Sequence, residues 1–199
     1  MATRIAFLGV RGSFSEEAAA RYAERSAASA ELLGADELGS SAPAAVLDAL
    51  ARGACELAVL PVANSSAGLV RPTLAALRGR AFELVDEVAL PVRLALFAGR
   101  PGLALAGIQR VASHPMALAQ CAQTLARLLP GRGTLEHGDT ASAARELGAG
   151  TLDARIAVVA SERAGERYGL APLALDVQDR PDNRTFFAVL RHARESALQ

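Results

Sequence analysis

The strongest constraint on this chain is a rhythm, in which short apolar runs with strand character alternate with longer stretches of helical periodicity. Strand-like runs occupy 4–8, 57–62, 108–112, 134–136, 155–160, 173–177 and 186–190. Helical patterns fall between them at 15–28, 42–52, 70–77, 116–129, 140–147 and 161–168. Residues 82–97 form one long extended stretch interrupted by Pro91. Such alternation predicts an α/β fold with mainly parallel strands. At the first helix, Ser15 is the expected N-cap, with Glu16 and Glu17 placed where the helix dipole favours them.

At 199 residues the chain can bury one full core or build two small lobes. Twenty-one basic residues balance 21 acidic ones. A zero net charge removes the bulk electrostatic drive toward nucleic acid or an anionic membrane. No apolar run approaches the roughly 20 residues that span a bilayer. The opening MATRIAFLG carries no signal-peptide h-region, so a cytoplasmic location is predicted. Cys55 and Cys121 read as small buried apolar residues rather than a disulfide. His114 and His137 lack partners at metal-ligand spacing, and neither metal nor cofactor is expected.

Polar residues cluster directly after strands, at Gly12-Ser13, Asn64-Ser65-Ser66 and Ser113-His114. In open α/β sheets ligands bind beyond the carboxyl ends of strands, and helix N-termini there present unpaired N–H groups. This predicts binding of a small anion at several strand ends, without naming a reaction. The first turn, Gly9 to Ser15, has neither dinucleotide nor Walker spacing, so no nucleotide follows from it.

Five ordered motifs extend the reading. They are Gly9–Ser15, Pro61–Val70, Ser113–Cys121, Thr140–Ala144 and Val177–Phe187. Together they resemble the catalytic domain of the prephenate dehydratase family. That family carries G-P-x-G-T-F-S, P-[IV]-E-N-S-x-x-G-x-V, S-H-P-x-A-L-x-Q-C, T-A-x-A-A and I-Q-D-x-x-x-N-x-T-R-F in this order. The resemblance implies a type II periplasmic-binding-protein-like fold, with two α/β lobes around an active-site cleft. One lobe would hold about 1–85 plus 174–199 and the other about 86–173. It also implies a homodimer or higher homo-oligomer, with prephenate as the small-molecule partner. The regulatory ACT module of typical bacterial members is expected to be absent, since the chain ends soon after Leu190.

Carried over residue by residue, the resemblance assigns catalytic roles to Thr185, Asn64, Ser113 and Gln120. The substrate contacts expected around them in this chain are Arg11, Gly12, Ser13, Phe14, Ser65, Ser66, Thr140 and Phe186, with Phe14 and Phe186 packing on the ring. The chain also departs from the pattern. Ala63 stands for the family's Glu, Phe186 for its Arg, Met116 for a Gln, and Leu94 for a His. Phe for Arg removes a bidentate carboxylate clamp, which Arg11 could replace, and Ala for Glu removes a proton donor. Both losses weaken expulsion of hydroxide more than loss of carbon dioxide. The first expectation is therefore a non-aromatising prephenate decarboxylase serving specialised metabolism. A divergent prephenate or arogenate dehydratase is the second, and a silent carboxylate-binding protein the third.

Overall fold

A computed structural model of the chain describes residues 2–27 and 29–193. In chain order its elements are β1 (Thr3–Phe7), α1 (Phe14–Arg25), β2 (Ala30–Gly34), α2 (Pro43–Ala51), β3 (Leu57–Asn64) and β4 (Gly68–Leu69). There follow α3 (Arg71–Leu77), β5 (Phe82–Pro91), β6 (Ala95–Ala98), β7 (Arg110–Ser113), α4 (Pro115–Gln120) and α5 (Ala122–Leu128). The chain continues with β8 (Gly133–Glu136), α6 (Thr140–Gly148), β9 (Ile156–Ala160), α7 (Glu162–Arg167), β10 (Ala171–Ala174) and β11 (Arg184–His192).

These elements form two compact units. The first is Met1–Val10, Phe14–Pro91 and Asn183–Gln199; the second is Arg11–Ser13 and Val92–Asp182. The chain thus changes unit after Pro91 and again after Asp182, a few residues beyond the positions expected near 85 and 174. The reason is pairing: β5 runs alongside β11 from Phe82 to Pro91 without changing sheet.

The first unit holds a sheet ordered β2-β1-β3-β11-β5, with β4 paired to β3. β1 is parallel to β2 and β3, whereas β11 is antiparallel to both β3 and β5. Its two faces bury different helices. Phe187 and Val189 pack with Val59, Leu90 and the α1 residues Ala18, Ala19 and Ala23. Ala188 and Leu190 pack with Ala58, Leu60 and the α2 residues Val46, Leu47 and Leu50. This is the period-two alternation of a strand covered on both sides.

The second unit holds a sheet ordered β10-β6-β9-β7-β8. β7 is parallel to β8 and β9, and β6 is antiparallel to β9 and β10. Helix α7 sits close on β6 because Gly165 has no side chain. A Cβ there would lie 2.2 Å from the Phe97 ring.

Both sheets are therefore mixed, and the expectation of mainly parallel strands is corrected. Returning strands fill positions that a simple βαβ repeat would not create. Residues 82–97 hold two strands in separate sheets, β5 in the first unit and β6 in the second, with Val92–Leu94 leading into β6 within the second unit. The helix expected over 116–129 is broken at Cys121, whose φ of −114° and ψ of 5° leave the helical region. α1 starts at Phe14, so Ser15 lies inside its first turn rather than capping it. Phe14 packs on the core beside α1, which draws the helix start one residue earlier. Its expected end at Ala28 lies outside the described residues. The strand expected over 173–177 ends at Ala174, and Asp176 has a left-handed φ of 50° that extended backbone cannot continue. Cys55 and Cys121 are buried free thiols, as expected. Burial pushes their pKa values up, to about 11 and about 12 respectively.

Candidate functional site

The first unit concentrates its candidate residues where β3 and β11 end together. β3 and β11 pair Phe187 with Pro61 but Phe186 with Ala63, leaving Val62 as an extra residue. This bulge resets the phase of β3, so that Asn64 falls opposite Thr185 and shares its face. Thr185 also pairs with Leu90, a member of the cluster under α1, which places that face on the α1 side. Ala63 and Phe186 form the next pair along and point to the other side.

Asn64 is 7 % exposed and its amide orientation is fixed by its neighbours. Its Oδ1 accepts the backbone N–H groups of Ser66 and Ala67, both at 2.9 Å. The Nδ2 end must then face Thr185, and it donates to Thr185 Oγ1 at 3.0 Å. An amide so tied cannot flip without losing two backbone partners. Thr185 accepts a hydrogen bond from Asn64 and keeps its own hydroxyl proton uncommitted among the described residues. A hydroxyl held in this way has its donor capacity left over.

Ser65 extends the arrangement. Its Oγ accepts from the Arg184 backbone N–H at 2.8 Å and donates to Asn183 Oδ1 at 3.2 Å. Its own N–H donates to the Arg184 carbonyl at 2.8 Å. Ser66 contributes a backbone donor to Asn64 and an exposed side chain. Phe14 and Phe186 do not come together as a ring clamp. Phe14 packs on the α1 cluster, while alternation from Phe187 turns Phe186 to the opposite face.

The second unit carries the other candidates. Ser113 ends β7 fully buried, and its hydroxyl donates to the Val159 carbonyl at 2.6 Å. That proton holds β7 to β9, so Ser113 acts here as a sheet strut rather than a donor to ligand. Gln120 closes α4 and its carbonyl accepts the Asp179 N–H at 2.7 Å. Thr140 opens α6, whose N-cap is Asp139, with Oδ1 accepting the Ser142 N–H at 2.7 Å. The side chains of Gln120 and Thr140 are half-buried and make no hydrogen bond to the described residues.

Arg11, Gly12 and Ser13 leave the first unit to join the second. Ser161 Oγ donates to the Gly12 carbonyl at 3.0 Å, and the Tyr168 hydroxyl donates to the Arg11 carbonyl at 2.5 Å. Gly12 adopts a left-handed φ of 87°, and a Cβ would stand 3.1 Å from Ala164 Cα. Its role is therefore a tight backbone approach to α7.

Two residues of the C-terminal motif carry more than the sequence suggests. Asp179 Oδ2 and Oδ1 accept the N–H groups of Gln123 and Thr124 at 3.0 and 2.9 Å, capping α5 from a distant segment. Burial pushes its carboxyl up, but these N–H groups and Arg127 outweigh that and hold it below its ordinary value. Asn183 is 2 % exposed, and its Nδ2 has no partner among the described residues. In sequence it stands at the Asn of the N-x-T-R-F motif, two residues before Thr185. Among the described residues, no three or more His, Cys, Asp or Glu side chains converge as a metal site. No helix among them is long and apolar enough to cross a membrane.

Residues 5–195 match the family model described as prephenate dehydratase. An arogenate dehydratase/prephenate dehydratase from Arabidopsis thaliana is 38 % identical over 195 residues, covering 98 % of this chain and 47 % of that protein. The crystal structure of a prephenate dehydratase from Arthrobacter aurescens, in complex with L-Phe, superposes with a TM-score of 0.84 at 28 % identity. That match covers 96 % of this chain and 61 % of the other. A methionine-bound nutrient-binding protein from Burkholderia cenocepacia shares the fold alone, with a TM-score of 0.50 at 12 % identity, over 96 % of this chain and 85 % of its own. The architecture is thus the type II periplasmic-binding-protein-like one. The chain spans about half the length of the curated relatives it matches.

Proposed function

Because this chain belongs to the prephenate dehydratase family, we propose that it is a lyase acting on prephenate or its amino counterpart arogenate, and that it dehydrates it. The observation that carries this reading is the hydrogen-bond chain from the Ser66 and Ala67 N–H groups through Asn64 to Thr185.

Dehydration breaks two bonds of the cyclohexadiene ring. The bond to the ring carboxylate releases carbon dioxide and leaves its electron pair to the ring. The carbon–oxygen bond across the ring then gives up the hydroxyl, and the ring becomes aromatic. Hydroxide is a poor leaving group, so a donor held at the departing oxygen lowers the barrier. Thr185 suits this role because Asn64 occupies its oxygen as acceptor, which leaves the hydroxyl proton to be offered outward. A threonine hydroxyl is too weak an acid for net ionisation. It stabilises developing charge, and solvent completes the proton balance to water.

The replacements at Ala63 and Phe186 leave this device untouched, since they point to the opposite side of the sheet. They do remove a carboxyl and a guanidinium, and that favours a second reading in which prephenate loses carbon dioxide alone. Then the electron pair must be met by a proton at a ring carbon and the hydroxyl stays.

Incubation with prephenate separates these readings. Phenylpyruvate, with its aromatic enol absorbance, is expected. Thr185→Val should lower kcat by about 10²–10³ with a small change in KM, and Thr185→Ser should retain most activity. A product short of carbon dioxide only would replace dehydration with decarboxylation. Saturable binding without turnover would leave a carboxylate-binding protein.

A further inference from the structure

Asn183 stands just before β11, at the point where the chain re-enters the first unit. Its side chain is almost wholly buried, yet only its oxygen is used, by Ser65 Oγ. The amide nitrogen is a buried donor with no partner among the described residues. Flipping the amide does not cure this. Nδ2 would then donate to Ser65 Oγ and the oxygen would be orphaned instead. Buried amides without partners are uncommon in native proteins, and each calls for a reason.

The reason lies in a pattern shared with Thr185. At both positions the acceptor atom is spent inside the protein, Thr185 Oγ1 on Asn64 and Asn183 Oδ1 on Ser65. At both, the donor is left over. Asn183 and Thr185 are two residues apart and are bonded to the consecutive residues Ser65 and Asn64. The end of the β3–β11 pair is therefore a short row of uncommitted donors. Arg184 between them is exposed, and its side chain makes no hydrogen bond or ion pair to the described residues. Ser65 and Ser66 of the same unit are exposed as well. Donors without acceptors, with a guanidinium alongside, fit oxygens that carry negative charge.

We infer that Asn183 is a substrate-binding residue whose side-chain N–H group takes an oxygen of an oxo-acid, either its carboxylate or its keto group. This rests on the proposed lyase reading for the identity of the substrate, but not for the chemistry of the ligand. A buried water would satisfy the amide equally well, and is the outcome that the test must separate.

The probe is phenylpyruvate, titrated calorimetrically into wild type, Asn183→Asp and Asn183→Leu, with melting curves for each. Asn183→Asp keeps the shape and sets a charge against the anion. Its affinity should fall by about 10- to 100-fold, and that of Asn183→Leu by about tenfold, at melting temperatures that show folded protein. Thr73→Val removes a second buried side-chain polar atom that has no partner among the described residues, the Thr73 hydroxyl, and should bind as wild type does. Should an Asn183 variant fail to fold, the Asn183 side-chain amide resonance of ¹⁵N-labelled wild type answers instead, and must shift on adding phenylpyruvate. Unchanged affinity in both variants, an equal loss in Thr73→Val, an unmoved resonance, or no binding by wild type would each overturn the inference. Prephenate turnover by wild type is measured in parallel. Turnover with unchanged variant affinity removes the role of Asn183 and keeps the lyase. Affinity lost in the variants without any prephenate turnover keeps Asn183 and removes the lyase.

Discussion

Ala63 and Phe186 face each other as register partners across the antiparallel β3–β11 pair, one step from Asn64 and Thr185. These are the two positions at which the resemblance to the family supplies Glu and Arg. Placed here, those residues would stand directly opposite as a cross-strand ion pair. The chain has exchanged both members together, which avoids leaving one half-buried charge alone. Each single restoration, Ala63→Glu or Phe186→Arg, should lower stability by about 1 kcal/mol. The double variant should recover about 0.5–1 kcal/mol of the summed loss. A urea-unfolding double-mutant cycle measures this coupling, and strict additivity would show that the two positions do not communicate.

The Asn64 amide makes a second, sharper prediction. In Asn64→Asp one carboxylate oxygen still accepts from Ser66 and Ala67, so the turn is kept. The other replaces the donor that faces Thr185, and the Thr185 hydroxyl must donate to it. The proton meant for the substrate is thereby withdrawn. Turnover should fall by about 10²–10³, close to the loss in Thr185→Val, and combining both changes should cost little more than either alone. Independent, multiplying losses would mean that Asn64 does not act through Thr185.

How far the sequence reveals this arrangement depends on the range of the forces involved. β1, β3, β9 and α6 are legible because each carries its own periodicity and end signals, such as Asp139 before Thr140. β2 is not, since Ala30-Glu31-Leu32-Leu33-Gly34 is rich in helix-favouring residues and becomes a strand by pairing in parallel with β1. The break at Cys121 is likewise invisible locally, because the cap for α5 arrives from Asp179, more than 50 residues on. Motif resemblance finds Asn64 and Thr185 but cannot show the bulge at Val62 that puts them on one face. It also pairs Phe14 with Phe186, which strand alternation separates.

The long-range cap at Asp179 carries a pH signature. Its carboxyl is held below the ordinary value near 4 in the folded protein. A depressed carboxyl contributes stability that is complete above the unfolded value and lost as pH falls through the folded one. Asp179→Ala should therefore cost about 0.5–2 kcal/mol at pH 7, and the gap to wild type should shrink below about pH 4. Urea unfolding at pH 7 and pH 3 tests it. A gap that stays constant across this range would show that the carboxylate charge is not what caps α5.

Gly12 offers a test of the short excursion by which Arg11–Ser13 join the second unit. Two separate constraints meet there, a φ of 87° and the 3.1 Å approach of a would-be Cβ to Ala164 Cα. Gly12→Ala has to relieve both by lifting the turn from α7, which stretches the bonds from Ser161 and Tyr168 to the Gly12 and Arg11 carbonyls. The loss should be about 1–3 kcal/mol and local in its origin. Native-state hydrogen exchange should therefore quicken first at the amides around 12–13 and in α7, while β3 and β11 keep their protection. Ser161→Ala weakens the same clamp from the other side, so its effect should be smaller in the Gly12→Ala background than in wild type. Equal effects of Ser161→Ala in both backgrounds would show that Gly12 is needed for its turn conformation alone, and that the clamp on α7 survives the added methyl group.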